Sequence, residues 1–149
     1  MRAWERTLIE VALDVVKSIS ERCDDELKRR FRARARSLIA DLYTSGAAYV
    51  VTITAARSSA KAVEEGLRVG EVSELVKPSA KELGLRGAEE ASYALYGASL
   101  LYALRAVNLI SSSDLSGVIR ELLGNKMANR VAVLAATWLK RFAEAYIYE

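Results

Sequence analysis

The chain has 149 residues, 52% of them hydrophobic, and a formal charge of +3. That length suits one domain with a sizeable core, and the charge is too mild for a surface that is basic all round. Histidine and glutamine are absent and Cys23 is the single cysteine. This excludes an intrachain disulfide, a cysteine-rich zinc site and any chemistry that uses histidine as base, triad member or metal ligand.

Residues 3–22 read as the first helix, with Trp4, Leu8, Val11, Ala12, Val15 and Ile19 along one face at 3.6-residue spacing. A short break near Cys23 leads to the most informative stretch. Asp24-Asp25-Glu26 opens a second helix, where acids complement the positive end of the dipole and Asp24 or Asp25 serves as N-cap. Leu27, Phe31, Ala35, Leu38, Ile39 and Leu42 then share one stripe. Between positions 28 and 36 lie six cations and no acid. Lys28, Arg29, Arg32 and Arg36 fall on one flank of the stripe, Arg30 and Arg34 on the other. Uncompensated charge of this density costs stability in isolation and points to a polyanionic partner.

Thr44-Ser45-Gly46 interrupts that helix, with Gly46 as its stop. Residues 47–60 follow without an acid. The β-branched run from Val50 to Thr54 could suit a strand, but flanking alanines, length and the lack of a second strand favour a buried helix. Arg57 and Lys61, four apart, are expected on one face near its end. The region of about 58–86 reads as looser: four glycines and Pro78 fall between residues 66 and 87, with a short helix from Glu71 ending before Pro78 and a capping-box spacing at Ser79 and Glu82.

The longest helix is expected from Arg86 to Asn108, buried nearly all round, because Ala91 to Leu104 is free of charge. Fourteen residues fall short of the roughly 20 needed to span a bilayer. Gly97 within it calls for a closely packed neighbour. Asp114 caps a helix over 115–123, Gly124-Asn125 stops it, and a last helix over 126–148 aligns Met127, Val131, Leu134, Trp138, Leu139, Phe142 and Tyr146 on its apolar side. The fold class is all-α: a single-domain helical bundle over 1–149 with six or seven helices.

No catalytic kit emerges. Cys23 has no activating base in view and reads as a small residue at a helix boundary. The acidic pairs Asp24-Asp25, Glu64-Glu65 and Glu89-Glu90 sit near helix ends, where the dipole explains them. Gly66 and Gly70 lack the lysine and spacing of a phosphate loop. Phe31 belongs to the core stripe rather than to a base-stacking platform, Trp138 reads as core, and Tyr43 and Tyr49 stay ambiguous. Lys140 and Arg141 extend a basic surface or simply solvate a helix face. The expectation is a non-enzyme without cofactor, metal or small-molecule substrate. The N-terminal Arg2, Glu5 and Arg6 do not form a secretory leader, so a soluble, cytoplasmic protein is expected. Fifteen arginines against seven lysines, with few amides, add a faint thermophile signature.

Two segments together carry a family resemblance. One runs from the basic helix through Leu42, Tyr43-Thr44-Ser45-Gly46 and into the helix ending at Arg57. The other is the terminal Leu134-Ala135-Ala136-Thr137-Trp138-Leu139-Lys140-Arg141-Phe142-Ala143-Glu144-Ala145. In order and character they resemble the small all-α subunit of the type III-B CRISPR effector, the Cmr complex. That family joins an arginine-rich helix to an apolar-x-x-x-Gly break and closes on a Trp-apolar-basic-basic-apolar helix. The first helix lacks a Gln-Arg-Ala signature, no proline precedes Leu42, and Ala47 stands where leucine is usual. A small subunit of a type III-A or archaeal type I-A effector therefore stays open, as does a protein-interaction module whose basic helix docks an acidic partner. The resemblance implies a non-catalytic, antiviral role: copies of the subunit stack beside paired guide and target RNA, contact other effector subunits, and lend cations to the phosphate backbone. Lys28, Arg29, Arg32 and Arg36 match the family's basic helix. Arg30, Arg34, Arg57, Lys61, Lys140 and Arg141 complete the set of candidate RNA-backbone contacts.

Overall fold

A charge-free stretch of fourteen residues is best accommodated at the centre of a helical molecule, and that is where it lies. The structure, a computed structural model, describes residues 1–148. Its described residues form eight α-helices: α1 (Ala3–Arg22), α2 (Asp25–Ser45), α3 (Ala47–Ala56), α4 (Ala60–Arg68), α5 (Val72–Leu75), α6 (Ala88–Ala106), α7 (Leu115–Leu122) and α8 (Lys126–Tyr146). One 3-10 turn spans Lys81–Leu83. Every residue of α6 from Ala91 to Leu101 is buried, and α1, α2, α3, α4 and α8 all pack against it. The serine hydroxyls that this burial encloses bond back to carbonyls of α6 itself: Ser99 donates to Leu95 at 2.6 Å and Ser92 to Glu89 at 2.7 Å.

Two glycines set how closely the helices approach α6. A Cβ on Gly66 of α4 would strike the backbone carbonyl of Ala98, and one on Gly97 of α6 would strike the Thr54 side chain of α3. The close neighbour that Gly97 calls for is thus α3, and α4 adds a second close approach that the sequence did not announce.

The all-α class is as read from the sequence; the helix divisions differ in places. The helix expected over 47–60 stops at Ala56, where Ser58 Oγ donates to the Thr54 carbonyl at 2.6 Å. Ser59 then caps a separate helix, accepting from Ala62 N at 3.0 Å. This turn lets α4 fold back on α6 through Val63, Gly66 and Leu67, all buried. Arg57 and Lys61 therefore sit on different elements rather than on one helix face. Helix α6, at 19 residues, is shorter than α2 and α8 at 21 each, so it is not the longest. Ser79 donates its hydroxyl to Glu82 at 3.3 Å, but the turn at Lys81 has Ala80 at its cap with no side-chain cap bond, so the capping box does not form.

Helix ends follow local chemistry. Asp24 caps α2 by accepting from Leu27 N at 2.9 Å, and Gly46 ends it with φ of 89°. Because Gly46 has no side chain to cap α3, Asn129 of α8 supplies the missing acceptor, taking the Ala47 N–H at 2.7 Å. The corner between α1 and α2 is tied to α5 and the segment after it, since Arg22 donates to the Ser73 carbonyl at 3.0 Å and Asp24 N to the Pro78 carbonyl at 3.0 Å.

Helix α8 corrects three core assignments. Met127, Trp138 and Tyr146 are 49%, 36% and 41% exposed. Its seam against α1 and α2 is built mainly from small residues, Ala128, Ala132, Ala135, Ala136 and Ala143, so the helices lie close and the large side chains are displaced to the margin. Trp138 stacks there on Phe142, ring centroids 5.4 Å apart.

Candidate nucleic-acid interface

Helix α2 is anchored before its charges are considered. Leu27, Phe31, Ala35, Leu38 and Leu42 are buried between α6 and α8, and Phe31 meets Tyr96 at a centroid distance of 6.1 Å. Complete burial of a Phe or Leu stabilises by roughly 1.5–3 kcal/mol each. The stripe therefore holds α2 firmly enough to project both cationic flanks at fixed angles. Phe31 is core, as expected. Tyr43 and Tyr49 are surface residues.

One flank runs along α8. Lys28 reaches Asp25 at 3.5 Å and is half-buried, while Arg36 meets Glu144 of α8 at 3.4 Å. Arg29, Arg32, Ala33 and Arg36 line a shallow depression of about 230 Å³. Arg29 is exposed and forms no ion pair with any acid among the described residues. Arg141 donates to Glu144 at 3.0 Å. The hydrogen bond from Arg141 outweighs partial burial, and with the charges of Arg141, Lys140 and Arg36 it holds the Glu144 carboxyl below its usual range. Lys140 and Arg141 thus join the α2 flank through Glu144, which also offsets part of its charge. Exposed pairs of this kind contribute roughly 0–1 kcal/mol, so they shape the field more than they hold the fold.

The other flank faces α6. Arg30 pairs with Glu26 at 3.9 Å. Arg34 lies against Tyr93: its guanidinium carbon is 4.4 Å from the ring centroid and its NH1 donates to the phenol oxygen at 2.5 Å. Arg57, just past the end of α3, places its guanidinium carbon 5.6 Å from the same centroid. Two like charges that share one ring repel each other, more strongly the less water lies between them. Each cation–π contact returns roughly 0.5–1 kcal/mol. The ring therefore offsets the repulsion without neutralising the charge. Lys61 is apart from this group, lining a separate cleft with Glu65, Lys77 and Glu82.

The structure thus gathers Arg29, Arg32, Arg36, Lys140 and Arg141 along the α2–α8 edge and Arg34 with Arg57 at Tyr93. Tyr93 was missed as a site residue because it sits in a stretch that reads only as core. Arg105 is a cation of another kind: it donates to the Leu67 and Val69 carbonyls and closes the end of α4. Its exposed-looking charge is structural.

Catalytic chemistry finds little support in the geometry. Burial, reinforced by Asp24, pushes the Cys23 thiol up to about 12, and the thiol donates to the Lys77 carbonyl at 3.2 Å. At neutral pH it is a protonated thiol, a poor nucleophile. No group of three or more His, Cys, Asp or Glu among the described residues is placed to hold a metal ion, and no described helix is long and apolar enough to cross a membrane.

No family model matches the chain. A curated protein does: the chain is 29% identical to the CRISPR system CMR subunit Cmr5 of Saccharolobus solfataricus over 119 residues, which is 80% of this chain and 69% of that protein. The chain is thus similar to a Cmr small subunit over most of its length. Two of the features that carried the Cmr resemblance now have a structural role. The Leu42-to-Gly46 break is where Asn129 of α8 caps α3, and the Trp138 helix is one that packs against the basic helix α2.

Proposed function

We propose that the chain is a non-catalytic small subunit of a Cmr-type RNA-guided antiviral effector, working in the cytoplasm with other effector subunits and further copies of itself. In this reading α2 lies along the guide and target RNA and binds the phosphate backbone without reading sequence. The observation that carries it is the α2 run itself. Six cations within nine residues stand on a helix whose apolar stripe is completely buried, so packing does not account for them. The relationship to the Cmr small subunit gives that charge a polyanion to meet. Lys28, Arg29, Arg32 and Arg36 form the main contact, Lys140 and Arg141 prolong it, and Arg30, Arg34, Arg57 and Lys61 serve neighbouring phosphates.

Salt dependence tests the reading. The affinity of a backbone binder for single-stranded RNA falls by roughly 0.7 log units per log unit of salt for each phosphate contacted. Four contacts weaken binding by about fiftyfold between 50 and 200 mM salt. The triple substitution of Arg29, Arg32 and Arg36 by Glu is expected to flatten this slope and to weaken target-RNA retention by the reconstituted complex. RNA binding by the complex that is unaffected by the triple substitution refutes the proposal. Loss of assembly with RNA affinity intact assigns the flank to an acidic protein neighbour instead.

A further inference from the structure

We infer that Arg34, Arg57 and Tyr93 form a discrete phosphate-binding site, separate from the Arg29 flank of α2, which takes one or two successive phosphates of an RNA strand. The inference rests on the RNA-binding reading above and adds a second, preorganised point of contact.

Three observations carry it. First, cations from two different elements, the middle of α2 and the end of α3, converge on one aromatic ring, at 4.4 and 5.6 Å from its centroid. Neither makes an ion pair with an acid among the described residues, and neither is bound to backbone carbonyls as Arg105 is beside Tyr102. The nearest acids in sequence, Glu89 and Glu90, lie one turn before Tyr93, and Glu90 is engaged by Arg86 at 3.3 Å. Second, Arg34 is held in place before any ligand arrives. Its NH1 donates to the Tyr93 hydroxyl, and its Nε is enclosed without a hydrogen-bond partner. Held by the ring and its hydroxyl, the guanidinium keeps one orientation, so an anion need not order it on binding. Third, Tyr93 is only 8% exposed and fixed in the buried half of α6, whereas Arg57 is open to solvent. The site thus has a rigid floor and an accessible rim. Two guanidinium forks offer more donors than the two oxygens of one carboxylate use, and they suit the tetrahedral oxygens of phosphate.

The test is an NMR titration of the full chain that follows the arginine Nε–Hε signals. Two probes are added at constant ionic strength: inorganic phosphate against chloride, and a short oligouridylate. The Arg34 and Arg57 signals are expected to move with both probes. Arg57→Gln is expected to weaken the phosphate response about tenfold, the value of one charge-assisted hydrogen bond, with Arg57→Lys intermediate because it keeps charge but loses the fork. Arg29→Glu should leave the response at Arg34 unchanged. Amide spectra of each variant report whether the fold is kept. If the oligouridylate moves Arg29 and not Arg34 or Arg57, the site is refuted while the RNA reading stands. If phosphate binds at Arg34 and the oligouridylate binds nowhere, the anion site stands and the RNA reading falls. An acidic peptide that displaces phosphate at lower concentration than the oligouridylate does overturns the assignment to RNA.

Discussion

Gly66→Ala sets two effects of known size against each other. In an exposed helix, alanine in place of glycine gains about 1 kcal/mol of helix propensity. At position 66 the new Cβ would occupy the space of the Ala98 carbonyl, with the Ala98 backbone carbon also inside 3.0 Å. That obstacle is backbone, so no side-chain rotation relieves it, and α4 must move away from α6. Overpacking of this kind costs roughly 1–3 kcal/mol and more where backbone must shift. The upper end applies, leaving a net loss of about 2 kcal/mol, or a fall in Tm of about 4–8 °C for a chain of this size. Gly87→Ala is the control: nothing lies within 4 Å of its Cβ. Thermal and urea unfolding followed by circular dichroism measure both. A Gly66→Ala protein as stable as the parent, or more so, would show that propensity wins and that α4 does not approach α6 as described.

Three further outcomes are expected. Asn129→Ala removes the acceptor that caps α3 and should lower stability by about 1–2 kcal/mol in urea unfolding, whereas Asn129→Asp should largely retain it. Cys23, its thiol pushed up to about 12, should resist a thiol reagent at pH 8 in the folded protein and react at once in denaturant. Partial burial would raise the Glu121 carboxyl, but hydrogen bonds from Ser112 and Ser111 outweigh it and hold the group below its ordinary 4.5. A depressed carboxyl contributes stability above its unfolded value and loses it as pH falls through the folded one. The gap in Tm between the parent and Glu121→Gln should therefore be widest near neutral pH and close on acidification below about 4.5.

Much of the fold was legible because it depends on local pattern. The stripe from Leu27 to Leu42, the Asp24 and Asp114 caps and the Gly46 stop are each decided within one or two turns of chain, and each appears where it was read. The chain from α3 to α4 was harder. An alanine-rich run with β-branched residues continues a helix as readily as it ends one, and only Ser59 before Ala60 signalled a new cap. Trp138 and Met127 went wrong for a different reason. A periodic stripe shows which side of α8 is apolar, but its buried width depends on the helices that cover it, and alanine-lined packing against α1 and α2 covers only the middle.

The sequence by itself determined that this is an all-α protein with a cationic helix, without histidine chemistry, and similar to a small subunit of a CRISPR effector. Those properties follow from residue identity and from spacing along one helix. Only the tertiary structure decided which cations act together. Glu144 reaches Arg36 across the α2–α8 contact, Arg34 and Arg57 meet at Tyr93 from separate helices, and Arg105 is consumed in closing α4. Charges interact over several ångströms through space, so residues far apart in the chain settle their roles only once the helices are packed.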